Sequence, residues 1–175
     1  MKKVMKKVLI IDTSVLCVWL RVPGKESCGH DADQWDWDRV EKKIKEENQN
    51  HSTFVLPLAT IIETGNHISQ ASKSRRERGK ALADLIRKSA DQQSPWAAFS
   101  EQDMLWKPDK LKKLADTWPD LAARSLSLGD ATIKDVAEYY AESGCEVEIL
   151  TGDGGLKAYQ PEARVMFPDG GKSGE

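Results

Sequence analysis

Short apolar runs alternate along this chain with longer segments whose apolar residues recur at helical spacing. The runs at residues 8–11, 54–56 and 147–150 are unbroken and rich in β-branched side chains, which is typical of strands buried on both faces of a parallel sheet. Helical spacing begins near residues 13, 35, 58, 81, 108 and 130. This alternation predicts an α/β fold with a central parallel sheet flanked by helices.

The remaining segments have weaker patterns. Residues 23–33 are polar and follow a Pro-Gly pair, which predicts a loop. Residues 96–99 are compatible with a short strand, and the helix that begins at Pro108 is expected to end before Pro119. Towards the C-terminus we expect an edge strand at residues 164–167 and a flexible tail at residues 169–175.

Composition limits the class of protein. The chain has 175 residues, of which 39% are hydrophobic and 31% charged, and this fits a single globular domain at residues 1–168. The basic start is followed by an apolar run that ends at Asp12, too short for export or for a membrane span. We therefore expect no membrane association.

Cysteine usage and net charge bear on the cellular location and on the attraction to nucleic acid. The three cysteines are scattered and none has zinc-ligand spacing, which favours a reducing, cytoplasmic location. The formal net charge of −2 provides no global attraction to nucleic acid. Any polyanion must therefore be bound by a local patch.

Four acidic residues lie at the joints of the predicted elements. Asp12 and Asp153 follow strands, Asp130 precedes a helix, and Glu63 lies within a helix next to Ile62. Because parallel strands deliver their last residues to one edge, where ligands of open α/β folds bind, these acids can converge. Helix capping by itself can explain each aspartate, but it cannot explain Glu63.

Convergence of carboxylates requires a cation. At about 5 Å and an effective dielectric of about 20, each pair of charges repels by on the order of 3 kcal/mol. Hard divalent ions such as Mg²⁺ and Mn²⁺ prefer oxygen ligands, and Mg²⁺ commonly completes its shell with waters and a substrate phosphate. The acids therefore predict metal-assisted phosphate chemistry.

Four motifs in this order resemble those of the PIN-domain nucleases. They are Leu-Ile-Ile-Asp-Thr-Ser at residues 9–14, Ile-Ile-Glu at 61–63, Leu-Ser-Leu-Gly-Asp-Ala at 126–131 and Ile-Leu-Thr-Gly-Asp at 149–153. The resemblance implies a three-layer Rossmann-like PIN domain with an acidic pocket that binds one or two Mg²⁺ or Mn²⁺ ions and hydrolyses RNA. Many small bacterial members are toxins of toxin-antitoxin pairs, which implies a possible homodimer and an antitoxin partner.

The same resemblance assigns residues to roles. Asp12, Glu63, Asp130 and Asp153 match the family's acidic quartet, which would be both catalytic and metal-binding. Thr13 and Thr151 match its accessory hydroxyl positions. On this basis we expect the three aspartates to hold the ion and Glu63 to bind it or to orient the attacking water.

The chain departs from the smaller family members in two insertions, at about residues 21–50 and 94–120, and in its six tryptophans. The insertions can reshape substrate access or bind a partner. Trp35 and Trp37 lie in a charged segment and are candidates for an interface.

Substrate contacts are harder to assign from sequence. Arg75, Arg76 and Arg78 lie in the densest basic stretch and can contact RNA phosphates, although a solvated helix face is the alternative. His67 follows Glu63 by one helical turn and can face the same cleft, but a surface or hydrogen-bonding role explains it as well.

Two other functions fit the same residues. A nuclease that cleaves DNA would use identical chemistry, because metal-assisted phosphodiester hydrolysis needs no 2′-hydroxyl. A non-catalytic PIN-like scaffold that binds RNA or protein is the other alternative, although such a protein has no reason to retain four mutually repelling carboxylates.

Overall fold

The computed structural model describes residues 5–163. The strands are β1 (Lys7–Ile11), β2 (Ser27–His30), β3 (Asp33–Asp36), β4 (Thr53–Val55) and β5 (Glu146–Leu150). The helices are α1 (Thr13–Trp19), α2 (Trp37–Gln49), α3 (Leu58–Gln70), α4 (Arg75–Ala90), α5 (Pro108–Ala122), α6 (Leu128–Glu142) and α7 (Gly154–Lys157), with a 3-10 helix at Phe99–Trp106.

A three-stranded parallel sheet forms the centre of the fold, in the order β4-β1-β5. The residues of β1 from Val8 to Ile11 are at most 1% exposed, as an uninterrupted apolar run predicts for a strand covered on both faces. The predicted α/β fold with a central parallel sheet and flanking helices is therefore confirmed, and the layout is compatible with a Rossmann-like arrangement.

Two apolar cores lie on opposite faces of this sheet. Because successive side chains of a strand point to opposite faces, Leu9 and Ile11 join the core that contains α1, α2 and α4, whereas Val8 and Ile10 join the core that contains α6. The hydroxyl of Thr60 in α3 donates to the last carbonyl of β1, at Ile11, over 2.9 Å. This bond holds α3 at the carboxyl edge of the sheet.

The loop predicted at residues 23–33 is wrong in part, because β2 and β3 form an antiparallel hairpin there. The hairpin side chains are polar and mostly exposed, so they lack the apolar alternation by which a strand is recognised. Two cation–π contacts stabilise the segment: the guanidinium of Arg39 lies 3.8 Å from the ring centroid of Trp35, and that of Arg21 lies 4.1 Å from that of Trp37.

The predictions for residues 94–128 need three corrections. Trp96 makes a single bridge to Phe54 rather than starting a strand, and the 3-10 helix was not predicted. Helix α5 continues through Pro119 to Ala122, because no residue of α5 is buried and water can solvate the carbonyl that the proline leaves without a partner. The indole of Trp118 donates to the carbonyl of Leu126 over 3.1 Å and anchors the end of this helix.

The edge strand expected at residues 164–167 and the tail at residues 169–175 lie outside the described residues. None of the helices within residues 5–163 combines the length and the apolar composition that a membrane crossing needs.

An ion network joins α2 to the sheet. Lys7 and Lys43 each contact both Glu47 and Glu148, at 2.6 to 3.0 Å. Burial by itself would raise the pKa of the Glu47 carboxyl, but hydrogen bonds from Lys43, Lys7 and Ser52 outweigh it and lower that pKa to about 2. The negative charges in this network are therefore balanced within the protein.

We predict that Glu47→Gln lowers the free energy of unfolding by about 2–3 kcal/mol at pH 7, somewhat less than for a fully buried pair because both lysines are partly exposed. The pKa of Glu47 is lower in the folded protein (about 2) than the ordinary value of 4.5. Its contribution is thus complete above about pH 4.5 and is lost as the pH falls toward 2.

Urea unfolding from pH 7 to pH 2.5 measures this effect. Glu46→Gln is the matched control, since Glu46 is exposed and lies 3.8 Å from Lys42. Equal stability losses in the two variants would contradict the role assigned to the network.

Candidate functional site: an acidic cleft at the carboxyl edge of the sheet

The structure brings the four predicted acids to one cleft of about 440 Å³, which we call the acidic cleft. Asp12 follows β1, Asp153 lies just after β5, Glu63 lies in α3 and Asp130 lies in the first turn of α6. Residues far apart in the chain therefore meet where parallel strands end, as expected for an open α/β sheet.

One oxygen of Asp12 organises the centre of the cleft. Its Oδ2 accepts hydrogen bonds from the hydroxyls of Ser14 and Thr151, each at 2.7 Å. Each hydroxyl in turn accepts a backbone N–H from the turn after β5: Gly152 donates to Ser14 over 3.0 Å, and Asp153 donates to Thr151 over 2.9 Å. The two hydroxyl protons are thus committed to Asp12.

This arrangement orients the Asp12 carboxylate. The side chain is 4% exposed, and Oδ2 also accepts a longer hydrogen bond, 3.4 Å, from the backbone N–H of Ser14 at the start of α1. Oδ1 accepts no hydrogen bond from any of residues 5–163. The carboxylate is therefore fixed by one oxygen, while the other is left for a ligand in the cleft.

Glu63 is held between α1 and α6. The hydroxyl of Thr13 donates to its Oε2 over 3.0 Å, and its Oε1 lies directly against the α-carbon of Gly129. Both predicted accessory hydroxyls, Thr13 and Thr151, therefore contact carboxylates of the quartet. Gly129 has a steric role as well, because any side chain there would occupy the position of Oε1.

The three aspartates differ in their capping roles. Asp12 and Asp153 are the N-cap residues of α1 and α7, and their side chains accept backbone N–H groups there. Asp130 is not a cap, since Ser127 caps α6 and accepts the N–H of Asp130 over 3.0 Å. Helix capping therefore explains neither the position of the Asp130 carboxylate nor that of the Glu63 carboxylate.

The pKa of the Asp130 carboxyl is raised by partial burial and by the neighbouring acids. Burial is the main reason that its pKa is raised, and the charges of Asp12, Asp153 and Glu63 raise it further, against an opposing hydrogen bond from the Ser127 hydroxyl. The resulting pKa is about 6, compared with an ordinary 3.8. The cleft thus holds a field of negative charge that a cation would relieve.

The donor set favours a hard divalent cation. The thiols of Cys17 and Cys28 also line the cleft, but burial raises the pKa of both, that of Cys17 to about 11, which disfavours thiolates there. Oxygen ligands remain, and these suit Mg²⁺ or Mn²⁺.

The carboxylates do not form a complete metal shell as they stand. Across residues 5–163, no group of three or more His, Cys, Asp or Glu side chains is arranged to hold a metal ion. Mg²⁺ commonly binds through one or two carboxylates and keeps several waters. An ion in the acidic cleft would therefore keep several waters, and Asp12, with its free Oδ1, and Asp130 are the side chains that could hold it.

Several lining residues were not predicted as part of the site. Lys25, Ser27, Cys28 and Ser127 all line the cleft. Spacing could have identified Ser127, since Ser-x-x-Asp before an apolar helix is a capping signal. Nothing in the local sequence distinguishes Lys25, which contributes a positive charge to an otherwise acidic cleft. His67 also lines the cleft, one turn from Glu63.

The predicted basic patch lies elsewhere. None of Arg75, Arg76 and Arg78 is among the residues that line the acidic cleft. The side chain of Arg75 donates to the carbonyl of Ala71, and that of Arg78 lies 3.3 Å from the Glu77 carboxylate. Their contact with substrate stays a prediction.

No family model, curated protein or solved structure matches this chain.

We predict that Asp130→Asn stabilises the metal-free protein at pH 7.5. Because the folded-state pKa lies above the ordinary value, the ionised carboxyl costs stability as the pH rises from about 4 through about 6. Removing this charge should add on the order of 1–2 kcal/mol after allowance for solvent screening, and the difference should vanish below pH 4.

Thermal unfolding in EDTA across this pH range is the measurement. Asp116→Asn, at an exposed position of α5, is the control and should leave stability unchanged at every pH. A loss of stability in Asp130→Asn at pH 7.5 would show that the carboxylates in the cleft do not repel one another appreciably.

Proposed function

We propose that this protein is a metal-dependent endoribonuclease of the PIN-domain type, which hydrolyses phosphodiester bonds of RNA in the acidic cleft. The observation that carries the proposal is four carboxylates in one cleft with no ion pair to a basic side chain anywhere in residues 5–163. Elsewhere in the fold, a buried acid such as Glu47 is paired with lysines. An unbalanced acidic cleft is the arrangement that a divalent cation and a phosphate would complete.

Asp12, Asp130 and Asp153 would hold Mg²⁺ or Mn²⁺ directly or through water, and Glu63 would bind the ion or act on the attacking water. When bound, the ion would lower the pKa of a water molecule and offset the charge that develops on the phosphate. The donor set of the cleft fits this requirement.

The residues of the chain itself position the reactants. Ser14 and Thr151 hold Asp12 so that Oδ1 faces its ligand. Thr13 engages Oε2 of Glu63, and the other oxygen, Oε1, would orient the attacking water or accept its proton. Lys25 lines the same cleft and would contact a phosphate oxygen of the substrate.

The choice of RNA rests on the resemblance of the four motifs, in order, to PIN-domain nucleases. The same resemblance supports a toxin role with an antitoxin partner and a homodimer. Cleavage of DNA is the nearest alternative for a site of this chemistry and is therefore an arm of the test.

We predict that Asp12→Asn and Asp130→Asn each lower RNA cleavage in Mn²⁺ by at least about 100-fold, the scale on which loss of an electrostatic group in an active site acts. Cleavage of fluorescently labelled single-stranded RNA is the measurement, with single-stranded DNA of the same sequence in parallel. Asp135→Asn is the control, because Asp135 lies in α6 with Asp130 but does not line the cleft.

Each outcome separates the candidates. Variants as active as the parent would remove the quartet from the mechanism, and cleavage of DNA alone would replace RNA as the substrate. A parent protein that cleaves neither and gives no site-specific Mn²⁺ binding by calorimetry would be a scaffold.

We also predict that Gly129→Ala lowers RNA cleavage without lowering the stability of the protein. The added methyl would meet Oε1 of Glu63 and come within 3.1 Å of its Cδ, and the flexible glutamate would move to make room. Alanine favours a helix by up to about 1 kcal/mol relative to glycine, so the melting temperature should hold or rise while RNA cleavage falls about tenfold or more.

Gly79→Ala is the matched control, because Gly79 is a helical glycine with no atom within 4 Å of an added methyl. It should raise stability and leave cleavage unchanged. Full activity in Gly129→Ala would contradict the position assigned to Glu63.

A further inference from the structure

The acidic cleft contains a histidine to which the four carboxylates assign no role. All three histidines of the chain lie within residues 5–163, and His67 is the one that lines this cleft, whereas His30 and His51 line other cavities. His67 is half-buried, and its side chain makes no hydrogen bond or ion pair with any of residues 5–163. Its ring nitrogens are therefore available to a substrate in the cleft.

Two hydrogen bonds fix the orientation of the helix face that carries His67. Thr60 donates to the carbonyl of Ile11 at the end of β1 over 2.9 Å, and Glu63 accepts from the hydroxyl of Thr13 over 3.0 Å. Because residues three and four apart share one face of a helix, His67 continues the row that Thr60 and Glu63 begin. This row faces the end of β1 and the start of α1, where the acidic cleft opens.

The spacing of Glu63 and His67 suits an in-line displacement at phosphorus. The two residues are one turn apart, which separates their α-carbons by about 6 Å along the axis of α3. In such a displacement the attacking and the leaving oxygen lie on opposite sides of the phosphorus atom. If Glu63 acts on the attacking water, the next side chain along the same face can reach the leaving oxygen.

The leaving oxygen needs a proton. When the ester bond breaks, its electron pair passes to an oxygen of the departing ribose, and protonation of this oxygen by a positioned side chain accelerates the step. Imidazole is the side chain that most often serves in this way. The other basic side chain that lines the cleft is Lys25, and an ammonium group is a weaker acid than an imidazolium.

The surroundings of His67 attract the positive charge that a proton donor of this kind carries. His67 lies in the last turn of α3, where the unpaired carbonyls of a helix provide partial negative charge. The carboxylates of the acidic cleft add to this attraction. The thiols that line the cleft are poorer donors, since burial raises the pKa of both Cys17 and Cys28.

We propose that His67 donates a proton to the ribose oxygen that leaves as the phosphodiester bond is cleaved. The oxygen of the attacking water forms the new bond to phosphorus and gives a proton to Glu63. The bond from phosphorus to the ribose oxygen breaks, and that oxygen takes the proton of His67. Solvent then returns a proton to His67 and removes one from Glu63. This inference rests on the proposed function and adds a general acid to the four carboxylates.

Sulfur in place of the leaving oxygen tests this role, because a thiol is a far stronger acid than an alcohol and its thiolate leaves without being protonated. Hexauridylate is made with sulfur at the 3′- or the 5′-bridging position of its central linkage, and with a 2′-deoxyribose before that linkage to prevent self-cleavage. The oxygen version with the same deoxyribose is cleaved in parallel in Mn²⁺. Its product ends show which bridging position leaves.

His67→Gln retains a polar side chain but cannot act as an acid. It should lower cleavage of the oxygen linkage by at least about 100-fold, the lower end of the range for a general acid, and leave cleavage of the sulfur linkage within about threefold of the parent rate. Both rates are referred to the folded fraction, which thermal unfolding measures. His51→Gln is the matched control, because His51 is exposed, precedes β4 and does not line the acidic cleft. It should leave both rates unchanged.

The outcomes separate this inference from the proposed function. Equal losses on the two linkages in His67→Gln would show that His67 holds the phosphate or the fold, and no loss on either would show that it takes no part in cleavage. Each of these results would overturn the inference while the parent enzyme remains a nuclease. A parent protein that cleaves neither linkage would overturn the proposed function and the role of His67 with it.

Discussion

The geometry of the site depends on one carboxylate oxygen, Oδ2 of Asp12. Two hydroxyls, from Ser14 and Thr151, donate to it at the same 2.7 Å, and each receives a backbone N–H from the turn after β5. Because one anion satisfies both hydroxyls, it joins the ends of the central strand and its neighbour at the edge where the cleft opens. Asp12 lines the cleft, and these bonds fix its carboxylate by one oxygen while the other accepts no hydrogen bond from any of residues 5–163.

Carboxylates at the two ends of the sheet differ in whether basic side chains balance their charge. At one end, lysines surround Glu47 and bring its pKa down to about 2 despite burial. At the other end, the half-buried Asp130 has a pKa of about 6 because of its partial burial and the neighbouring acids. The fold therefore pairs the buried Glu47 with lysines, whereas neither the buried Asp12 nor the half-buried Glu63 and Asp130 of the acidic cleft has such a partner within residues 5–163. Stability given up in this way is characteristic of functional sites, where perturbed pKa values cluster.

How much was predictable from sequence differs between elements. The apolar runs of β1 and β5 predicted buried parallel strands, and the position of Glu63 inside a helix followed from helical spacing. The β2–β3 hairpin could not be found in this way, since its side chains are polar and exposed on most positions. The hairpin instead packs closely against Gly152, which is more than a hundred residues away. The predicted end of α5 before Pro119 was wrong for a different reason. No residue of α5 is buried, so water can replace the backbone hydrogen bond that the proline removes.

By itself the sequence determined where strands and helices alternate and which acids stand at their ends, because burial periodicity and capping chemistry are local properties. It did not determine which of those acids would serve as caps: Ser127 takes that role from Asp130, and Asp12 combines capping with a contact to Thr151 that spans 139 residues. Only the tertiary structure decided these partners, as well as the wall that the hairpin forms beside them. A hydrogen bond between distant residues depends on how strands and helices pack, and no local pattern records that packing.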